Sequence, residues 1–160
     1  MSWVTEVIYS IPPYAKEVAT NLEKVMDSAF LEETDAHACA LAASCAISNG
    51  GLANAINMNS PIFGQVARET AKTAAITIAM LDIYYGFDDN AEDLALLAPL
   101  NGYLQNTQFL MYAFSAAVAL KSQYIRIMRD ELMIHGVTEA QIKDIARIAA
   151  VIAAINKIVV

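Results

Sequence analysis

Charge is scarce in this chain. Asp, Glu, Lys and Arg make up only 17% of its 160 residues, against ~25% in an average soluble domain. Ten are basic and 17 acidic, so the net charge is −7. No basic patch or arm is available to neutralise phosphates, which argues against a nucleic-acid partner and against anionic lipid. Long apolar runs are also missing. A membrane-spanning helix needs ~20 apolar residues in succession. The longest candidate, Phe109 to Leu120, ends at Lys121, and the stretch Thr73 to Gly86 is interrupted by Thr77 and Asp82. The opening residues Met1 to Glu6 have no basic region ahead of an apolar one. No signal peptide is expected, and the reading is a cytoplasmic chain without a membrane span.

Cysteine is nearly absent. The two present, Cys39 and Cys45, would lie on one helix. Six residues there turn through roughly 240° and rise about 9 Å. That separation exceeds the ~7 Å an intrachain disulfide tolerates. Both are read as small core residues. No spacing fits a structural zinc site, and the two histidines, His37 and His135, have no ligating neighbour in sequence. Neither metal nor cofactor is expected. Strand-like alternation between turn signals is missing too.

What the chain has in surplus is apolar side chains, 57% of the total, against ~45–50% on average. Without a membrane to hold them, the surplus points to a core plus an interface between copies, hence a homo-oligomer. Val18, Leu22 and Val25 recur at helical spacing after Pro12-Pro13, giving an amphipathic helix to about Ser28. Thr34 or Asp35 is placed to cap a second helix through Ala36 to Ile47, which stops at Asn49-Gly50-Gly51. A short helix is expected over Leu52 to Met58. Pro61 opens a long one to Tyr84 or Tyr85, and a short piece follows over Ala91 to Leu97. Pro99 and Gly102 mark a loop. Thr107 opens an apolar helix to Leu120 that continues or kinks to His135, where Gly136 stops it. Thr138 and Gln141 fit a capping box for the last helix.

The second half echoes the first. Arg68 to Ala75 aligns with Lys143 to Ala150 in charge sign and alanines, and the same offset lays Ala38 to Ile47 on Ala113 to Ser122. The expectation is an all-α single domain, residues 1–160, built from two similar helical halves over about 34–86 and 107–160.

Three segments in this order resemble the AhpD-like (alkylhydroperoxidase D, carboxymuconolactone decarboxylase) family. Ile11-Pro12-Pro13-Tyr14-Ala15-Lys16-Glu17 is similar to that family's first helix start. Ala71 to Tyr85 resembles its central helix, and Gly136-Val137-Thr138 with the alanine-rich helix after it resembles its end. The resemblance implies an AhpD-like helical bundle and a symmetric oligomer, a trimer or a multiple of one. It also implies where thiol chemistry would sit. Counting back from Gly136, Lys121-Ser122-Gln123-Tyr124 occupies the Cys-x-x-Cys position, with Met128 and Phe109 at the places of a histidine and a glutamate. None of the family's functional residues is present.

The residues themselves offer several candidates. Lys121 is the only charge between Phe109 and Ile125. It is a candidate base, or a stem reaching water. Asp82, amid apolar neighbours, is a candidate acid or partner of Lys121, or a carboxylate at a helix edge facing solvent just before the acidic turn. Cys45 is a candidate one-cysteine site. Tyr84, Tyr85, Tyr103, Tyr112 and Tyr124 are either core tyrosines or part of a pocket. The pocket expected from this set comprises Lys121, Ser122, Gln123, Tyr124 and Tyr112. Arg126 and Asp130 are spaced to pair on one helix face. The function read from this is a non-thiol oligomeric protein binding a small apolar or aromatic molecule. The alternatives are a cysteine-independent decarboxylase-type enzyme and a peroxide-defence protein acting through Cys45.

Overall fold

Two alanine-rich helices lie back to back at the centre, and the other described helices pack around them. A computed structural model describes residues 2–62, 64–87 and 105–158, without the side chains of 85–87. Among the described residues there are eight α-helices and no strand. They are α1 (Trp3–Ser10), α2 (Lys16–Met26), α3 (Glu33–Ala46), α4 (Gly50–Asn59), α5 (Gly64–Phe87), α6 (Thr107–Leu120), α7 (Ile125–Ile134) and α8 (Glu139–Ile155), with a 3₁₀ turn at Pro13–Ala15. The all-α expectation is met. The helix expected at Ala91 to Leu97, the loop at Pro99 and Gly102, and Tyr103 lie outside the described residues, as does the side chain of Tyr85.

The central pair is α3 and α6. Ala36 to Ser44 and Ala46 are all buried on α3, and Phe109 to Ala117 are all buried on α6. A helix apolar all round belongs in an interior. Small side chains let its neighbours approach closely on every side. Two buried hydroxyls are satisfied within this pair. Ser115 Oγ donates to the Cys39 carbonyl across the interface at 2.7 Å, and Ser44 Oγ donates to Leu41 at 2.9 Å. Outer helices show one buried face only, as on α8 with Ile142, Ile145, Ile148, Ala149 and Ile152. Each such isoleucine contributes about 1.5–3 kcal/mol by leaving water.

The helix boundaries repeat along the chain. α4 and α7 both begin and end 75 residues apart, at 50 and 125 and at 59 and 134, and α5 and α8 begin at 64 and 139. The packing pairs off in the same way: α3 on α5 as α6 on α8, α5 on α6 as α8 on α3, and α3 with α4 as α6 with α7.

Several ends differ from expectation. α1 was not expected. Its eight residues are too few for a clear periodic pattern, and the Ser2 side chain caps it by accepting the Thr5 N–H at 3.3 Å. α5 begins at Gly64 rather than at Pro61. α3 has no side-chain cap, and Asp35 is used elsewhere. The capping box at Thr138 and Gln141 is present as expected. The helix from Thr107 neither continues nor kinks but stops at Leu120 and restarts at Ile125. There Lys121 takes the left-handed conformation, φ 54°. Its N–H reaches the Val118 carbonyl and the Ser122 N–H reaches Ala117, which is the two-bond closure that usually employs glycine. Gly136 closes α7 by the same two bonds, with Gly136 to Met133 and Val137 to Leu132.

Candidate functional site

The expected pocket is not assembled. Lys121 and Gln123 are exposed, while Ser122 and Tyr124 are buried inside the turn between α6 and α7. Tyr112 lies ten residues earlier on α6, roughly 15 Å along the axis at the usual rise per residue. A shallow depression of about 500 Å³ borders the turn, lined by Ser122, Gln123, Ile125, Arg126, Ile127 and Arg129. Lys121, Tyr124, Tyr112 and Asp82 take no part in it.

Asp82 is half-buried and accepts a hydrogen bond from Ser122 Oγ at 2.7 Å. The same hydroxyl accepts the Tyr124 N–H at 2.9 Å. Asp82 therefore holds the α6–α7 turn against α5. Among the described residues no ion pair joins it to Lys121, whose side chain is exposed and whose left-handed backbone ends the helix. Asp130 pairs with its neighbour Arg129 at 3.4 Å rather than with Arg126. Met128 and Phe109 are buried core residues.

The thiols are unsuited to attack. Cys39 is fully buried, and burial followed by the charge of Asp35 pushes its pKa well up. Cys45 is partly buried on the same helix. Burial raises its pKa too, and Lys72 opposes this without reversing it. Both are free, and an attacking thiol needs the thiolate.

A different constellation stands at the other end of α6. Asp35, in the first turn of α3, accepts a hydrogen bond from Tyr112 Oη at 2.7 Å. Tyr112 is fully buried along its ring. Burial first, then the hydrogen bond to Asp35 and that carboxylate's charge, pushes its pKa far up. Tyr112 is thus a fixed donor that does not ionise, and it orients the carboxylate. A depression of about 380 Å³ opens over this pair, lined by Glu32, Thr34, Asp35, Val66, Ala67, Thr70, Asn106, Gln108 and Tyr112. A second, about 290 Å³, shares Glu32, Asp35 and Gln108 and extends past Phe30, Leu31, Met111, His135, Val137 and Gln141. Through these shared residues the two adjoin as a cleft across the amino-terminal ends of α3 and α6, more polar than apolar in its lining. His135 on its rim is held by its Nδ1 against the Glu131 carbonyl at 2.9 Å.

Sequence reasoning found Tyr112 but missed Asp35, Glu32 and Gln108. A signal was available. A tyrosine within an uncharged, largely apolar helix needs a partner for its hydroxyl, and Asp35 is the carboxylate nearest the alanine-rich stretch that must pack on it. Among the described residues no group of three or more His, Cys, Asp or Glu is placed to hold a metal ion, and no helix is long and apolar enough to cross a membrane. No protein-family model matches the chain, and no curated protein matches it.

Proposed function

We propose that this is an AhpD-like, non-thiol, homo-oligomeric protein that binds a small molecule in the cleft over Asp35 and Tyr112. The ligand has an aromatic or apolar body and a hydrogen-bond-donating head. The observation that carries this reading is the Asp35 carboxylate. One of its oxygens is engaged by Tyr112, and an ionised carboxylate has acceptor capacity to spare. Phe30, Leu31, Met111 and Val137 are apolar residues within the cleft's largely polar lining. Support for the non-thiol part comes from the raised pKa of both cysteines. Support for self-association comes from α5, which leaves Ile76 and Ile83 68–79% exposed on its outer side. The resemblance to AhpD-like proteins adds the expectation of a trimer or a multiple of one.

The test is thermal stabilisation by matched aromatic probes, benzylamine against benzoate, on the wild type and on Asp35→Asn. The amine is expected to stabilise the wild type saturably, and its apparent affinity to fall at least about tenfold in the variant, the usual scale for losing a charged hydrogen bond. Equal response of both proteins to the amine would refute the cleft reading. A peroxidase assay with an organic peroxide and a dithiol is expected to show no turnover. Turnover abolished in a Cys39→Ser, Cys45→Ser double variant would refute the non-thiol part.

A further inference from the structure

The most buried residue of α1 is its first. Trp3 is fully buried, and it is the only buried residue of that helix. Its indole Nε1–H donates to His37 Nδ1 at 2.8 Å, and the two rings meet edge to face at 5.9 Å. α1 otherwise packs on α2 and α4, with Val4, Val7 and Ile8 partly buried. His37 lies on α3, the central helix. A side chain that accepts at Nδ1 must be neutral with its proton on Nε2. We propose that the Trp3–His37 hydrogen bond is a proton-operated latch that holds α1 on the bundle and lets it go on acidification.

The chemistry is a single proton. When Nδ1 is protonated, its lone pair is gone and two N–H groups face each other in a buried site. Such a pair is repulsive and leaves both donors unsatisfied. The buried imidazole disfavours its charged form, and the lowering by desolvation exceeds the raising by Glu33, one turn ahead on α3. Other charged groups nearby do not add to that field. α1 brings only Glu6, which is exposed, and α4 and α6 carry no charged residue. From α8, Asp144 is tied to Arg147 and Ser28. From α5, Asp82 is held by Ser122, and Lys72 acts on Cys45. The charged residues of α2 are all exposed.

The sign follows. His37 has a lower pKa docked than the 6.5 it has when free. The latch is therefore at full strength above pH 6.5. It weakens about tenfold per pH unit as pH falls from there to the docked pKa, and no further below it.

The chain has one tryptophan, so the indole N–H gives a single signal in a nitrogen-15 spectrum. Its exchange protection factor is measured from pH 7.5 to 5.0 in the full chain and in His37→Gln, whose amide oxygen accepts without titrating. The expected result is a fall that sets in near 6.5 in the wild type and levels off at the docked pKa, a flat profile in the variant, and unchanged protection on α3 and α6. A flat wild-type profile overturns the latch. So does an equal fall in the variant, or a fall shared by every amide. Should His37→Gln not fold, Trp3→Phe decides. Removing the donor is expected to raise the pKa of His37, followed by its ring carbon signal, towards 6.5. An unmoved pKa overturns the proposal.

Discussion

Each end of α6 carries a hydroxyl donating to an aspartate at 2.7 Å, and the two ends do different work. At the amino-terminal end Tyr112 holds Asp35. At the carboxy-terminal end Ser122 holds Asp82. The bonds are alike in chemistry and length, and both carboxylates are half-buried. What differs is what lies beside them. Asp35 opens onto a cleft lined by residues of several helices. Asp82 lines none of the clefts described above, and its bond closes a turn whose backbone N–H at Tyr124 also uses the serine. The lesson is that a buried hydroxyl–carboxylate pair does not mark a site. A site needs spare acceptor capacity facing a space large enough for a ligand.

That contrast can be broken by substitution, and the largest effect is expected at the cleft end. Tyr112→Phe keeps the buried ring and deletes the donor. Asp35 is left without its partner, at a cost of about 1–3 kcal/mol. A chain of this size loses roughly 2–4 °C of Tm per kcal/mol, so melting should drop by several degrees, and the amine response should weaken with it. If binding persists while stability falls, Tyr112 is only a strut.

Ser122→Ala tests the other end. It removes two hydrogen bonds from a turn whose aspartate can turn to water, so about 1 kcal/mol is expected. Chemical denaturation should show this as a lower midpoint with an unchanged slope, and the amine response should equal the wild type. A lost response would mean that the two ends communicate or that the ligand lies at the turn.

The smallest effect is expected at Lys121, and it has the opposite sign. A non-glycine residue in the left-handed region costs ~1–2 kcal/mol, and glycine gives back part of that gain as chain entropy. Lys121→Gly is therefore expected to stabilise by somewhat under ~1 kcal/mol, seen as a Tm rise of a degree or two. Destabilisation would show that the lysine stem has a packing role.

Much of the fold was legible because its signals are local. The capping box at Thr138, the glycine stop at Gly136 and the small-residue runs of α3 and α6 each lie within a few residues of one another. Their consequences followed in the expected places. α1 escaped because eight residues barely exceed two turns. The stop at Leu120 was not placed because a lysine, not a glycine, takes the left-handed position there. Of the candidate pocket, Tyr112 lines the cleft, Ser122 and Gln123 line only the depression beside their turn, Lys121 is exposed and Tyr124 is buried in the turn. Those residues were grouped because they lie close in sequence, and a helix rise of ~1.5 Å per residue separates what sequence puts side by side.

Composition and periodicity determined by themselves that this chain is helical and that it has no pair of cysteines spaced to bond. Those properties depend on how many apolar and small residues there are and on how they recur, which is written in the chain. Only the tertiary structure decided that Asp35 meets Tyr112, that Asp82 meets Ser122, and that Trp3 meets His37. Each pair joins residues 34 to 77 positions apart. A buried donor has to find an acceptor, and the packing of whole helices selects which one comes within reach.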